Sequence, residues 1–160
     1  MDLMLHRNRQ RPVIILTQYY NMLALLDTGA IIPVWTGGLR VLESNFTVRL
    51  IKYNVTFNGF GGKALGDLYR ISKFELGCLK YYSLPIIVVQ GMENLGVQMI
   101  LSATMFSNLN YTIKNKEKVL SVDIGNEILE RHLEVKDSEG HLHILCTDSQ
   151  KEEFKWREQI

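Results

Sequence analysis

Cysteine and proline are scarce in this sequence of 160 residues, which contains two cysteines and three prolines. Cys78 and Cys146 are too few for a disulfide scaffold of the kind that stabilises small secreted domains. The glycosylation sequons at Asn45, Asn54 and Asn110 therefore carry little weight, because glycosylation requires the secretory route. From this cysteine usage we expect a cytoplasmic protein.

An excess of charge of either sign is also absent, since the formal net charge is +1. Such a chain has no strong field to attract nucleic acid or an anionic membrane surface. The longest membrane-like run, VQMILSATMF, is too short to span a bilayer, and MDLMLHRNRQR at the N-terminus lacks the apolar core of a signal peptide. We expect neither nucleic acid nor a membrane as a partner, and a solvated arm over residues 1–11.

Apolar residues, by contrast, make up 46% of the chain, which is enough for one domain with a proper core. Segments that are β-branched or that alternate apolar and polar residues predict an all-β fold with one or two short helices. Along 51–58, for example, alternation places Ile51, Tyr53, Val55 and Phe57 on one face of a strand. The other expected strands are Pro12–Tyr20, Met22–Leu26, Ile31–Thr36, Leu68–Leu76, Leu84–Gln90, Val97–Leu101, Tyr111–Ile113, Val119–Ile124 and His141–Cys146.

One carboxylate, Asp27, stands inside the apolar stretch LALLDTGAIIPVWTGG. Asp and Gly are turn residues, so a plain turn between two strands is one reading. The apolar flanks favour the other reading, a covered turn whose carboxylate has a purpose, because burying an unpaired charge is costly. Thr28 can then hold the turn through its hydroxyl, and Gly29 can bring a backbone N–H close to the carboxylate.

Three segments in order resemble the retroviral-type (retropepsin-like) aspartic proteases, in the form of small bacterial single-domain homologues. LLDTGA is similar to their active-site loop, NGFGGKALGDLYRI to their flap hairpin, and MILSATMFSNLNYTI to their second signature, a strand entering a short helix. Together the three segments cover roughly residues 12 to 113, and three motifs in the right order are far more specific than one.

The resemblance implies an aspartic endopeptidase that cuts extended peptide segments without a metal or other cofactor. It implies Asp27 as the catalytic acid and Thr28, Gly29 and Ala30 as support for the active loop. The flap would comprise Asn58, Gly59, Phe60, Gly61 and Gly62, and a substrate pocket would be lined by Ile31, Ile32, Leu101 and Ser102, with Phe60 nearby.

The chain carries one such loop, because Asp123-Ile124-Gly125 lacks the hydroxyl residue. Such enzymes need two carboxylates around one water, so an active form must be a homodimer with Asp27 contributed twice. Ser102 stands where the family has glycine, and Ile31 and Ala103 stand where viral members have an ion pair. The loss of both charges together suggests apolar subsites.

The resemblance gives a protease domain over 12–125 and a C-terminal extension over 126–160, packed on the domain or at the dimer interface. This extension could rebuild the interface, cover a sheet edge or occlude the cleft. Two other functions stay open, namely a dimer that binds peptides without cutting them and a precursor activated by trimming. A zinc site at His141, His143 and Cys146 lacks a fourth ligand, so ordinary strand residues are the better interpretation.

Overall fold

A computed structural model describes residues 1–59, 62–138 and 141–147, and this part of the chain is mainly β-structure, as the sequence predicts. It contains one α-helix, α1 (Leu39–Asn45), and short 3-10 turns at Thr17–Tyr19, Glu93–Leu95 and Ala103–Phe106. The strands are β1 (Asp2–Met4), β2 (Val13–Leu16), β3 (Met22–Asp27), β4 (Val34–Trp35), β5 (Val48–Gly59), β6 (Gly62–Leu76), β7 (Leu79–Val88), β8 (Met99–Ser102), β9 (Tyr111–Lys114), β10 (Val119–Val122), β11 (Leu129–Ser138) and β12 (His141–Thr147).

Two sheets divide these strands. The larger sheet has the order β12-β11-β7-β4-β8-β3-β2, and the long hairpin of β5 and β6 joins it where β6 pairs with β7. The smaller sheet has the order β1-β10-β9. Leu26 from the larger sheet and Leu120 from the smaller one belong to the same buried cluster, together with Trp35, so the main core lies between the two sheets.

We expected a solvated N-terminal arm over residues 1–11. This expectation is wrong for the first part of that segment. Residues 2–4 form β1, which pairs antiparallel with β10. Leu3 and Leu5 are buried in the main core. The alternation of apolar Leu3 and Leu5 with polar or exposed neighbours is a strand pattern, but it is too short to stand out beside the basic segment that follows.

The hairpin of β5 and β6 departs from simple alternation. Val55 and Phe57 are buried, whereas Ile51 and Tyr53 are exposed, so the four residues expected on one face of the strand divide between two environments. The pairing shifts register between Leu50 and Lys52 and again between Lys52 and Val55. Such bulges change which face the following side chains occupy.

The C-terminal extension contributes strands to the larger sheet. β11 pairs parallel with β7, with Leu129 opposite Leu79, and β12 pairs antiparallel with β11. Leu133 of β11 is buried in the main core. Residues 129–138 therefore build the domain itself, beyond the boundary at 125 that the sequence suggested, while 148–160 lie outside the described residues.

Gly66 in β6 marks a close approach of the hairpin to β7. A Cβ atom at this position would lie 2.4 Å from Ile87 Cγ2 and 2.8 Å from the carbonyl oxygen of Val88. We predict that Gly66→Ala lowers the free energy of unfolding by about 1–3 kcal/mol, because β7 must shift to accept the methyl group.

The measurement is urea unfolding followed by tryptophan fluorescence. Gly125→Ala is the matched control, since the nearest atom to a Cβ there is 4.0 Å away. Equal stability of the two variants would contradict the close packing of the hairpin on β7.

Candidate active site

The loop of Asp27 is built where two strands of the larger sheet end side by side. β3 ends at Asp27, the chain turns through residues 28–33, and β4 begins at Val34. β8 lies between these two strands, parallel to β3 and antiparallel to β4. The register places Asp27 opposite Ser102, so the first and last of the three predicted motifs are neighbours in space.

The carboxylate of Asp27 takes part in a tight turn. Its Oδ1 accepts a hydrogen bond of 2.9 Å from the backbone N–H of Gly29, and the backbone N–H of Ala30 donates to the carbonyl of Asp27 at 3.1 Å. A Cβ atom on Gly29 would lie 3.3 Å from Oδ1. Gly29 is thus favoured because it leaves room beside the carboxylate, and the predicted N–H contact is present.

The loop after the turn is held from beneath by the start of the 3-10 turn at Ala103–Phe106. The backbone N–H of Ala103 donates to the carbonyl of Ala30 at 3.0 Å, and Thr104 Oγ1 donates to the carbonyl of Ile31 at 2.8 Å. Ser102 Oγ lies 2.6 Å from Thr104 Oγ1. Since Thr104 has a single hydroxyl hydrogen and gives it to Ile31, Ser102 must be the donor in this second bond.

Ser102 and Leu101 occupy a different place from the substrate pocket expected of them. Both are fully buried, Leu101 in the main core and Ser102 beneath the loop, so neither offers a surface to a ligand. The hydroxyl of Ser102 is directed to Thr104. Thr104 was missed from the sequence, because its contact with Ser102 depends on the 3-10 turn that begins at Ala103.

The tip of the loop is open in this single chain. Asp27 is half-buried, Thr28 and Gly29 are exposed, and the side chain of Ile31 is 41% exposed. Within the described part of the chain Thr28 forms no side-chain hydrogen bond, so the expectation that its hydroxyl holds the turn is wrong. Leu25, Leu26 and Ile32 in the apolar flanks are buried as predicted, but the turn itself lies at the surface and is not covered.

The opposite face of the loop packs against the hairpin. Ile32 is buried in a second apolar cluster with Val55 and Phe57 of β5, and Ala30 packs against the same cluster. Val34 and Ile100, on β4 and β8, complete its floor. The hairpin and the loop of Asp27 therefore share one packed interface, and a movement of one changes the packing of the other.

The predicted flap lies at the free end of this hairpin. Asn58 pairs with Lys63 and Gly59 with Gly62, so the strands stay paired to the last described residue on each side. Phe60 and Gly61, which were expected at the tip, lie outside the described residues.

Other chemistry is sparse in the described residues. They include no group of three or more His, Cys, Asp or Glu side chains that could hold a metal ion. The side chains of His141, His143 and Cys146 in β12 lie outside the described part, so the zinc hypothesis stays untested. Cys78 is half-buried, and its Sγ lies 3.8 Å from the carbonyl oxygen of Asn126. None of the described helices is both long and apolar enough to cross a membrane.

Comparisons with known proteins found no matching family model, no matching curated protein and no matching solved structure.

The hydroxyl pair beneath the loop gives a testable consequence. We predict that Thr104→Val lowers the free energy of unfolding by about 1–3 kcal/mol, because the buried Ser102 hydroxyl and the Ile31 carbonyl both lose a partner. The measurement is urea unfolding, with Thr112→Val as control, since Thr112 is an exposed strand residue. If both variants were equally stable, the two bonds would not support the loop.

Proposed function

We propose that the chain is an aspartic endopeptidase of the retropepsin type, active as a homodimer. One observation supports this most directly. Two segments chosen from sequence as the active loop and the second signature are hydrogen-bonded neighbours, with Ala103 bonded to Ala30 and Thr104 to Ile31, each pair 73 residues apart along the chain. A chance Asp-Thr-Gly triplet has no reason to meet the second segment in this way.

The proposed chemistry needs two carboxylates. In the dimer the two copies of Asp27 face each other across the two-fold axis and hold one water between them. Because two carboxyl groups so close together cannot both ionise, one is protonated and the other is charged. The charged one takes a proton from the water as it attacks the peptide carbonyl, and the protonated one donates to the carbonyl oxygen.

The exposure of the loop tip supports a partner at this position. Thr28 and Gly29 are exposed, and Ile31 presents an apolar side chain beside them. A second copy that covers this tip would bury Ile31 and give the Thr28 hydroxyl a partner across the axis. One chain alone supplies one carboxylate at this place, so the site is complete only in the dimer.

The hairpin supports a role in binding the peptide. Its two strands are long and paired up to Gly59 and Gly62, and its base packs on the loop of Asp27 through Val55, Phe57 and Ile32. An extended peptide can add to such a hairpin by strand-like hydrogen bonds. We further propose that the enzyme acts in the cytoplasm, in keeping with its scarce cysteines.

A peptide-binding dimer without catalysis is the second candidate, and one observation favours it. The carboxylate of Asp27 already has a structural partner in Gly29, so the acid could be present only to hold the turn. The variant Asp27→Asn distinguishes the two functions. An asparagine side-chain oxygen can still accept from Gly29, whereas it cannot exchange a proton with water.

We predict that the native protein cleaves members of a mixed peptide library between about pH 4 and 7 and that Asp27→Asn loses at least about 100-fold in kcat/KM. Unfolding in urea should be nearly unchanged, because the hydrogen bond to Gly29 is kept. Asp123→Asn is the matched control, an exposed aspartate in the other Asp-X-Gly triplet. Absence of cleavage by the native protein at high concentration, with peptide still bound, would establish the binding dimer instead.

Mixing the two forms tests whether both subunits contribute. With native and Asp27→Asn chains exchanged at fixed total concentration, we predict activity that falls as the square of the native fraction, because a mixed dimer has one carboxylate. Activity proportional to the native fraction would mean that each chain acts alone and would contradict the shared site.

A further inference from the structure

A groove of about 420 Å³ lies at the surface along β2, β3 and the segment before β8. Its floor is apolar and consists of Val13 on β2, Leu25 on β3 and Val97 just before β8. These three buried residues form a small cluster of their own, separate from the main core. The groove is thus a shaped apolar depression at the surface, within the size range of sites that take a side chain or a small ligand.

The groove lies on the same side of β3 as the carboxylate. Met22, Ala24 and Leu26 point into the main core, whereas Leu23 and Leu25 belong to the separate cluster. Side chains alternate along a strand, so Asp27 continues the row of Leu23 and Leu25. Leu25 precedes Asp27 by two residues, a distance of roughly 7 Å along the strand. An extended peptide lying over Asp27 therefore reaches the groove within one or two residues of the bond at the carboxylate.

The rim of the groove is basic. Arg9 and Arg11 line it, and no acidic side chain does. Arg9 Nη2 donates to the carbonyl of Gly96 at 3.0 Å, and a Cβ atom on Gly96 would lie 2.8 Å from the same nitrogen. Gly96, at φ +77°, therefore both makes the turn and leaves room for the guanidinium. Among the described residues neither arginine forms an ion pair.

We propose that this groove is a specificity pocket for an acidic side chain of the substrate, aspartate or glutamate, within two residues of the bond that is cut. The proposal rests on the proposed function, since it assigns a substrate class to that site. The methylene groups of the substrate residue pack on Val13, Leu25 and Val97, and its carboxylate pairs with Arg9 and Arg11. A guanidinium matches a carboxylate in geometry as well as in charge.

Charge complementarity decides the occupant. A purely apolar side chain would cover the floor but gain nothing from the arginines, and a basic one would be repelled by them. The floor distinguishes a peptide from a polyanion such as nucleic acid, which would not use an apolar surface and would require more than two arginines. Apolar preference at the other subsites, as expected from Ile31, is compatible with this one acidic position.

The test compares peptides that differ only in one residue, Glu, Gln or Lys, placed in turn at each of the two positions on either side of the bond cut in the library. For the native enzyme we predict, at one of these positions, kcat/KM about tenfold higher for Glu than for Gln, and lower still for Lys. In Arg9→Glu/Arg11→Glu the order should reverse, with Lys preferred. Most of the change should be in KM, because the contact lies away from the reacting atoms.

Arg7→Glu is the matched control, because it changes the same charge in the same segment but does not line the groove. Arg11→Glu alone is a second variant, since Arg11 is exposed and holds no bond to the Gly96 turn, so its substitution leaves that turn intact. A preference unchanged in both Arg11→Glu and the double variant, or equally changed in Arg7→Glu, would overturn the proposal.

Binding separates this proposal from the protease function. Anisotropy of labelled library peptides, each made with Glu, Gln or Lys in turn at every position and therefore independent of a cut site, is measured with Asp27→Asn at low and high salt. One outcome is that the Glu peptide binds more tightly than the others, and more weakly at high salt, while the native protein cleaves nothing. This result would support the pocket and contradict the protease function. Cleavage by the native enzyme with equal kcat/KM for Glu and Gln at every position would contradict the pocket and support the protease function.

Discussion

The parallel pairing of β3 with β8 is the constraint on which the rest of the structure depends. It places Asp27 opposite Ser102, at the point where both strands end and the backbone turns away from the sheet at each of them. The backbone groups freed at these ends find each other, Ala103 bonding to Ala30, so that two distant segments become one rigid loop pair. Parallel strands need a long connection between them, and here that connection contains β4, α1, the hairpin and β7. The hairpin returns to pack on the loop through Phe57 and Ile32, and the position of the carboxylate thus depends on most of the chain.

This constraint also explains why serine is accepted at position 102. A fully buried hydroxyl is costly unless it is hydrogen-bonded. Ser102 donates to Thr104, which donates in turn to the carbonyl of Ile31. The buried hydroxyl of Ser102 thus has a hydrogen-bond partner, and the two bonds support the loop.

The sequence predicts the elements of this fold better than their boundaries, and the order of its motifs better than their contacts. Asp27 at a strand end and the long hairpin follow from local pattern, because alternation and turn residues are local signals. The faces of β5 do not, since two register shifts and Asn54 with a φ of 54° break the alternation. β1 and β11 are recognised only through pairing with β10 and β7, which no local signal encodes. The burial of Leu101 and Ser102, like the groove of Arg9 and Leu25, depends on which strands become neighbours.

The carboxylate of Asp27 takes part in the turn through one of its two oxygens. Oδ1 accepts the hydrogen bond from the N–H of Gly29, which fixes the direction of the carboxylate. Oδ2 is not engaged by that bond. A carboxylate oriented through one oxygen presents the other in a fixed direction, which a shared proton requires. A turn that needed an acid only for its own stability would accept asparagine or serine equally well. The half-buried Asp27 and the exposed Thr28 and Ile31 beside it fit the proposed homodimer, in which a second copy would cover this surface and supply the second carboxylate.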